Sequence, residues 1–250
     1  MFFIYTRYIM EITENAEIGE LFNAGAHVGY SKTRRHPKMK EFIFGTRNNI
    51  EIFDLGKTLA GLKMAEEFLK SLAKEGKAVL WVGSKPPASR FIREAAKKTG
   101  MPYVAERWLG GTLTNFKVFE GRLAHLAKLE TEEKLGEFEK YSKKEKLLKM
   151  AEIRKLGRMF EGLKNVKSLP QALVIVDPGE EKTALSEARR KNIPVVAVLN
   201  VDCDPQNIKY AIPANDNSSA VISLILDRLA AAYEAGLVEK QAEKQIEKPV

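Results

Sequence analysis

The sequence predicts an α/β protein: a doubly wound, mostly parallel sheet with an antiparallel helical hairpin inserted into it. Three observations carry that prediction. Uninterrupted apolar runs at 78–82, 172–176 and 195–199 are strands of the kind buried on both faces. Segments of helical length separate the strands, which favours parallel pairing. Between 116 and 168 the pattern changes: Phe116, Phe119, Leu123 and Leu126 recur three and four residues apart, as do Ile153, Leu156, Phe160 and Leu163. Two amphipathic helices with one apolar stripe each should zip together antiparallel.

The remaining elements follow in order. Residues 18–24 form a short helix stopped by Gly25. Segment 31–40 carries Lys32, Arg34, Arg35, Lys38 and Lys40 without one acid, and Pro37 predicts an extended loop. Residues 42–44 and 50–53 flank Gly45-Thr46-Arg47-Asn48-Asn49 and predict a hairpin. From Asp54 to Glu75 a helix turns Leu59, Leu62, Met64, Ala65, Phe68, Leu69 and Leu72 inward and closes at Gly76. Gly83-Ser84-Lys85-Pro86-Pro87 leads the next strand into a helix ending at Gly100, and 103–105 is a short strand. In the stretch from Arg107 to Phe116, Gly110 and Gly111 allow a tight turn, with Thr114 or Asn115 as helix cap. Ser142 and Glu145 fit a capping box for the second hairpin helix, and Phe138 and Tyr141 near its tip read either as end-capping hydrophobes or as a docking patch. A helix at 181–191 separates the last two apolar strands, and a final helix runs from about 218 to 235. The charged residues from Glu239 onward read as disordered. The expected organisation is a core of 1–116 plus 168–235, an arm of 117–167 and a tail of 236–250. An arm zipped by its own stripes should be separable from the core.

Composition bounds the function. The net charge is +8 over 250 residues with pI ≈ 9.3, which favours a polyanionic partner. Residues 117–167 hold 14 Lys and Arg against 9 Asp and Glu, so most of the excess sits on the arm. No apolar run reaches the roughly 20 residues that span a bilayer. Met1 to Met10 is broken by Arg7 and lacks a signal peptide's pattern, with Met10 an alternative start. Cys203 is the only cysteine, so neither an intrachain disulfide nor a cysteine-based zinc site can form, and a cytoplasmic location is expected. Neither G-x-G-x-x-G nor G-x-x-x-x-G-K-[ST] is present. His27, His36 and His125 show no ligand spacing, so no metal and no cofactor are expected. Cys203, between Asp202 and Asp204, should have a raised thiol pKa, unsuited to a nucleophile. No catalytic set can be assembled. One alternative stays open: an α/β enzyme acting on a phosphorylated small molecule at Gly83–Lys85, where a helix N-terminus follows a strand, and at Asp202–Asp204.

Ala26 to Met39, Phe42-Ile43-Phe44-Gly45 with Arg47-Asn48-Asn49, Val82-Gly83-Ser84-Lys85, and Arg107 to Phe116 form a set of stretches. Together they resemble the bacterial family of small-subunit ribosomal protein two. Leu169-Pro170-Gln171, Asn192-Ile193-Pro194, Asp202-Cys203-Asp204-Pro205 and Ile212-Pro213-Ala214-Asn215-Asp216 extend the likeness in the family's order. The resemblance implies a flavodoxin-like fold and a non-enzymatic structural role in the small ribosomal subunit, on ribosomal RNA between head and body. It also implies neighbouring ribosomal proteins as partners, among them the large multi-OB-fold protein that captures messenger RNA, and no homo-oligomer. Tyr30 stands where the family has a His, and Arg35-His36-Pro37 where it has Trp-Asn-Pro, which exchanges a ring for a charge. The residues expected to contact RNA are Lys32, Arg34, Arg35, Lys38, Lys40, Arg47, Lys85, Arg107, Asn115 and Lys117.

Overall fold

The computed structural model describes residues 15–246 apart from 165 and 167; the Met1–Met10 stretch and its two candidate starts lie outside the described residues. Helix α1 (Ala16–Ala24) is capped by the Asn15 side chain and ends at Gly25, whose φ is 88°. Strands β1 (Val28–Ser31), β2 (Ile43–Arg47) and β3 (Ile50–Phe53) form a small antiparallel sheet in the order β1-β3-β2. The β2–β3 turn places Asn48 and Asn49 at φ 49° and 64°, the left-handed pair that a two-residue hairpin turn needs. Strand β1 was not expected, and segment 31–40 is not extended. It coils into two 3-10 turns, Lys32–Arg34 and Pro37–Phe42, the first held by Ser31 accepting the Thr33 N–H and the second opened by Pro37.

The main sheet contains β4 (Val79–Val82), β5 (Tyr103–Val104), β6 (Ala172–Val176), β7 (Val195–Leu199) and β8 (Tyr210–Pro213). Its order is β5-β4-β6-β7-β8 and every neighbouring pair is parallel. That is the flavodoxin-like arrangement, with the strand order reversing between β4 and β6. The edge strand β8 escaped the sequence reading because Tyr-Ala-Ile-Pro is short and ends in proline. Side chains alternate across the sheet. Val79, Trp81, Val174 and Val196 meet α1, α2 (Leu55–Glu75), α3 (Pro86–Thr99) and α7 (Ser219–Ile246) on one face. Leu80, Val82, Leu173 and Ile175 meet α6 (Lys182–Arg190) and the hairpin base on the other.

Three expectations need correction. Met64 points outward, 54% exposed, because its position on α2 lies off the apolar stripe. The expected disordered tail is helical as far as Ile246. Its charges find partners on α2: Glu239 pairs with Lys70 at 2.6 Å and with Lys74. Gly236 lets α7 lie against the Lys70 carbonyl, where a Cβ would collide. The hairpin, α4 (Phe116–Lys134) and α5 (Lys143–Met159), does not bury its stripes only against itself. Phe119, Leu126, Phe160 and Leu163 join the core cluster beneath Leu80, Val82, Leu173 and Ile175. The outer half is self-packed: Leu129 and Phe138 are buried, Tyr141 meets Phe138 edge-on at 6.2 Å, and Lys149 lies 4.2 Å over the Tyr141 ring. Ser142 and Glu145 form the expected capping box.

Gly61 on α2 lies where a Cβ would run into the Ala211 carbonyl of β8, whereas Gly121 on α4 has open space around it. Gly61→Ala is expected to cost about 1–3 kcal/mol through overpacking. Gly121→Ala should instead stabilise by up to about 1 kcal/mol through helix propensity. Urea unfolding midpoints of the two variants check the pair of signs.

Candidate nucleic-acid interface

The elbow from Arg107 to Lys117 is wrapped around a carboxylate that arrives from α6. Glu187 Oε1 accepts from the Gly111 N–H at 2.7 Å and from the Trp108 indole at 3.2 Å. Its Oε2 accepts from the Leu113 N–H at 2.9 Å and from the Thr114 N–H and hydroxyl at 3.1 Å each. Burial alone would push the carboxyl pKa up. The N–H groups of Gly111, Thr114 and Leu113, with the indole, outweigh it and hold the pKa below the usual glutamate value. Of the paired glycines only Gly111 has positive φ, at 92°. The expected cap differs too: Asn115 occupies the N-cap of α4 but makes no side-chain cap bond, and the Thr114 hydroxyl is held by Glu187. Trp108 and Leu113 insert into the core, leaving Arg107, Asn115 and Lys117 exposed at the ends of the elbow. No local signal in the sequence marks Glu187 as the group that holds this loop.

The N-terminal cationic segment is not free of acids, as its own composition suggested. Arg35 reaches Glu51 at 2.9 Å, and that carboxylate, fully buried, also accepts from the Thr46 hydroxyl at 2.7 Å. Arg34 lies 3.6 Å from Asp202 and 4.5 Å over the Tyr30 ring. Lys38 pairs with Asp204 at 3.2 Å and with Gln206. The partners come from β3 and from the loop after β7, too distant in sequence to be foreseen. Lys32 and Lys40 are exposed and pair with no carboxylate among the described residues, and Arg47 is exposed on β2. Met39 enters the same core cluster as Trp108 and Leu113, so this segment and the elbow cover one side of the main sheet.

Lys85 stands at the switch point between β4 and β6, and its ammonium is turned inward. It meets Asp177 at 3.0 Å, Asp216 at 3.2 Å and the Tyr30 hydroxyl at 3.1 Å. Asp216 Oδ1 in turn accepts from Asn200 at 2.8 Å and from Tyr30 at 3.1 Å. Burial would lower the Lys85 pKa, but the Tyr30 hydroxyl, Asp216 and Asp177 outweigh it and raise it. The Ser84 N–H, which a phosphate would need, donates to Glu181 at 2.8 Å. The chain's own carboxylates therefore occupy the crevice where an α/β enzyme of this topology binds its ligand. Cys203 is buried beside it, and burial, with Asp202 and Asp177 adding, pushes its thiol up to about 12. Among the described residues no group of three or more His, Cys, Asp or Glu is arranged to hold a metal ion.

Residues 21–236 match the family model described as ribosomal protein S2. The chain belongs to the ribosomal protein S2 family. Members of that family are structural constituents of the small ribosomal subunit, with ribosomal RNA and ribosomal proteins as their partners. Two relatives, both named small ribosomal subunit protein uS2, are similar over 229 residues. The one from Dictyoglomus thermophilum is 45% identical and that from Dictyoglomus turgidum 44%, each over 91% of this chain and 93% of the relative. Within the ribosomal protein S2 fold, the elbow and the N-terminal segment are cationic stretches that the core residues Trp108, Leu113 and Met39 anchor from one side.

Three variants separate structural from surface charge. Arg35→Ala leaves Glu51 buried without its cation and is expected to cost about 3–5 kcal/mol. Lys32→Ala and Lys40→Ala should stay within about 0.5 kcal/mol of the parent. Chemical denaturation of the three variants checks this.

In Glu187→Gln every donor stays in place, but one acceptor oxygen becomes an NH2 group that faces other donors. A loss of about 1.5–3 kcal/mol is expected. The native carboxylate has a lowered pKa, so its stabilisation is complete above the ordinary value of 4.5 and falls away as pH drops through the lowered native value. The Gln variant should lack that component of acid loss, as thermal melts from pH 7 down to pH 3 would register.

Proposed function

We propose that this chain sits on small-subunit ribosomal RNA through Lys32, Lys40, Arg47, Arg107, Asn115 and Lys117. Arg34 and Lys38 lie at the edge of that surface, while Arg35 and Lys85 shape it from within. The observation carrying this reading is the sorting of charge: inward cations meet buried carboxylates, and exposed Lys32, Lys40, Arg107 and Lys117 have no carboxylate partner among the described residues. Exposed ammonium and guanidinium groups on loops anchored in the core suit the phosphate backbone, which positions a protein without reading sequence. On this reading the chain is cytoplasmic and works as one copy per subunit. The core and the hairpin arm divide the labour, the arm reaching neighbouring proteins, including the large multi-OB-fold messenger-binding one where present.

The chain is read as non-enzymatic because its switch-point crevice is filled by the Lys85–Asp177–Asp216 group. Rebinding of the full chain to small subunits stripped of it, measured across salt concentrations, tests the RNA contacts. Lys32→Gln, Lys40→Gln and Lys117→Gln together should lower the salt slope by about 2 to 3 units, at roughly 0.7 to 0.9 per phosphate contact. An unchanged slope with an intact fold would remove these residues from the interface.

A further inference from the structure

At the root of the hairpin, α5 and the start of the elbow enclose an open cleft of about 540 Å³. Arg107, Arg154, Lys155 and Arg158 line it, with Ala151, Met159 and a single carboxylate, Glu106. That carboxylate is already engaged, since Arg93 Nη2 donates to it at 2.6 Å from the side of α3. The four cations of the cleft pair with no carboxylate among the described residues. Arg154 donates its Nε to the Met150 carbonyl at 3.2 Å, within its own helix. Elsewhere on the hairpin Lys149 is matched with Glu132 at 3.2 Å and Lys164 with Glu130 at 2.7 Å, while exposed Lys143 and Lys144 near the tip pair with no carboxylate among the described residues; the cleft differs in gathering four unmatched cations around one recess.

The cleft is also held in shape from behind. Arg107 is followed by Trp108, whose indole is bound by Glu187, and Arg158 lies two residues before Phe160, which is 1% exposed in the core. Arg154 and Arg158 stand one helical turn apart, so both guanidinium groups emerge from the same side of α5. Three guanidinium groups and one ammonium, uncompensated and on a rigid backing, form a receptor for successive anionic oxygens. Planar guanidinium forks match phosphate in particular.

We propose that this cleft is a second RNA site, in which Arg107, Arg154, Lys155 and Arg158 take a run of phosphodiester backbone. The site rests on the reading of the chain as a ribosomal RNA-binding protein and adds to it a contact on the arm, separate from the N-terminal segment. It recognises charge and backbone shape and reads no base.

The test uses the full chain and small subunits stripped of it. Arg154→Gln with Arg158→Gln should lower the salt slope of rebinding by about 1.5 units, at roughly 0.7 to 0.9 per phosphate, with an unchanged circular dichroism spectrum. In parallel, a Lys155→Cys variant carries a benzophenone on its new thiol; buried Cys203 leaves that thiol as the accessible one. After irradiation the adduct should lie on RNA. An unchanged slope, an adduct on a ribosomal protein, or no adduct overturns the proposal, the second by assigning the cleft to an acidic protein segment. The Lys32, Lys40 and Lys117 triple variant runs alongside. If it flattens the slope and the cleft variant does not, only the cleft assignment fails. If neither does, the RNA reading fails with it.

Discussion

The junction between sheet and hairpin depends on one buried carboxylate. Removing a carboxylate from water is costly unless donors replace the lost solvent, and Glu187 obtains five of them from a single loop. The loop can aim three N–H groups at one point because Gly111 adopts φ 92°, a conformation closed to most side chains. Helix α4 begins two residues after Thr114, so the path of the chain into the hairpin is set by an anchor on α6. Trp108 contributes at both levels: its ring fills the core and its N–H completes the cage. The basic groups at the two ends of the elbow take their positions from that cage.

The same economy of charge governs the rest of the molecule. A net charge of +8 would be a diffuse property if cations and acids mixed evenly over the surface. The fold sorts them instead. Glu51, Asp177 and Asp216 are drawn inward and each takes a cation with it, in Arg35 and Lys85. Asp202 and Asp204, which by position could have formed the edge of a ligand site, tether Arg34 and Lys38. Exposed cations with no carboxylate partner among the described residues remain on the N-terminal segment, at the ends of the elbow, along the hairpin and on α6. On the proposed reading, the first group gives the surface its shape and the second its attraction for phosphate.

The sequence alone was enough to read the helices, the buried strands and the hairpin, because their signals are local. Gly25, Gly76 and Gly100 each end a helix at positive φ, as neighbouring residues indicated. The capping box at Ser142 needed only a four-residue window. Legibility failed where an element owes its state to distant partners. Strand β8 pairs along β7, α7 runs on to Ile246 beside Lys70 and Lys74 of α2, and the base of the hairpin belongs to the core because the lower face of the sheet must be covered. A stripe of apolar residues states that a helix has a buried face and leaves open what buries it.

The candidate site shows the same division more sharply. Its residue types, and the two cationic stretches that hold most of them, were visible in the order of amino acids, since charge is a property of the side chain itself. Whether a given cation faces solvent or a carboxylate was decided only by tertiary structure. Lys38 and Asp204 are 166 residues apart, and Trp108 and Glu187 are 79 apart. Coulomb attraction and hydrogen bonding act over a few ångströms, and such distances exist only after the sheet has brought its strand ends together.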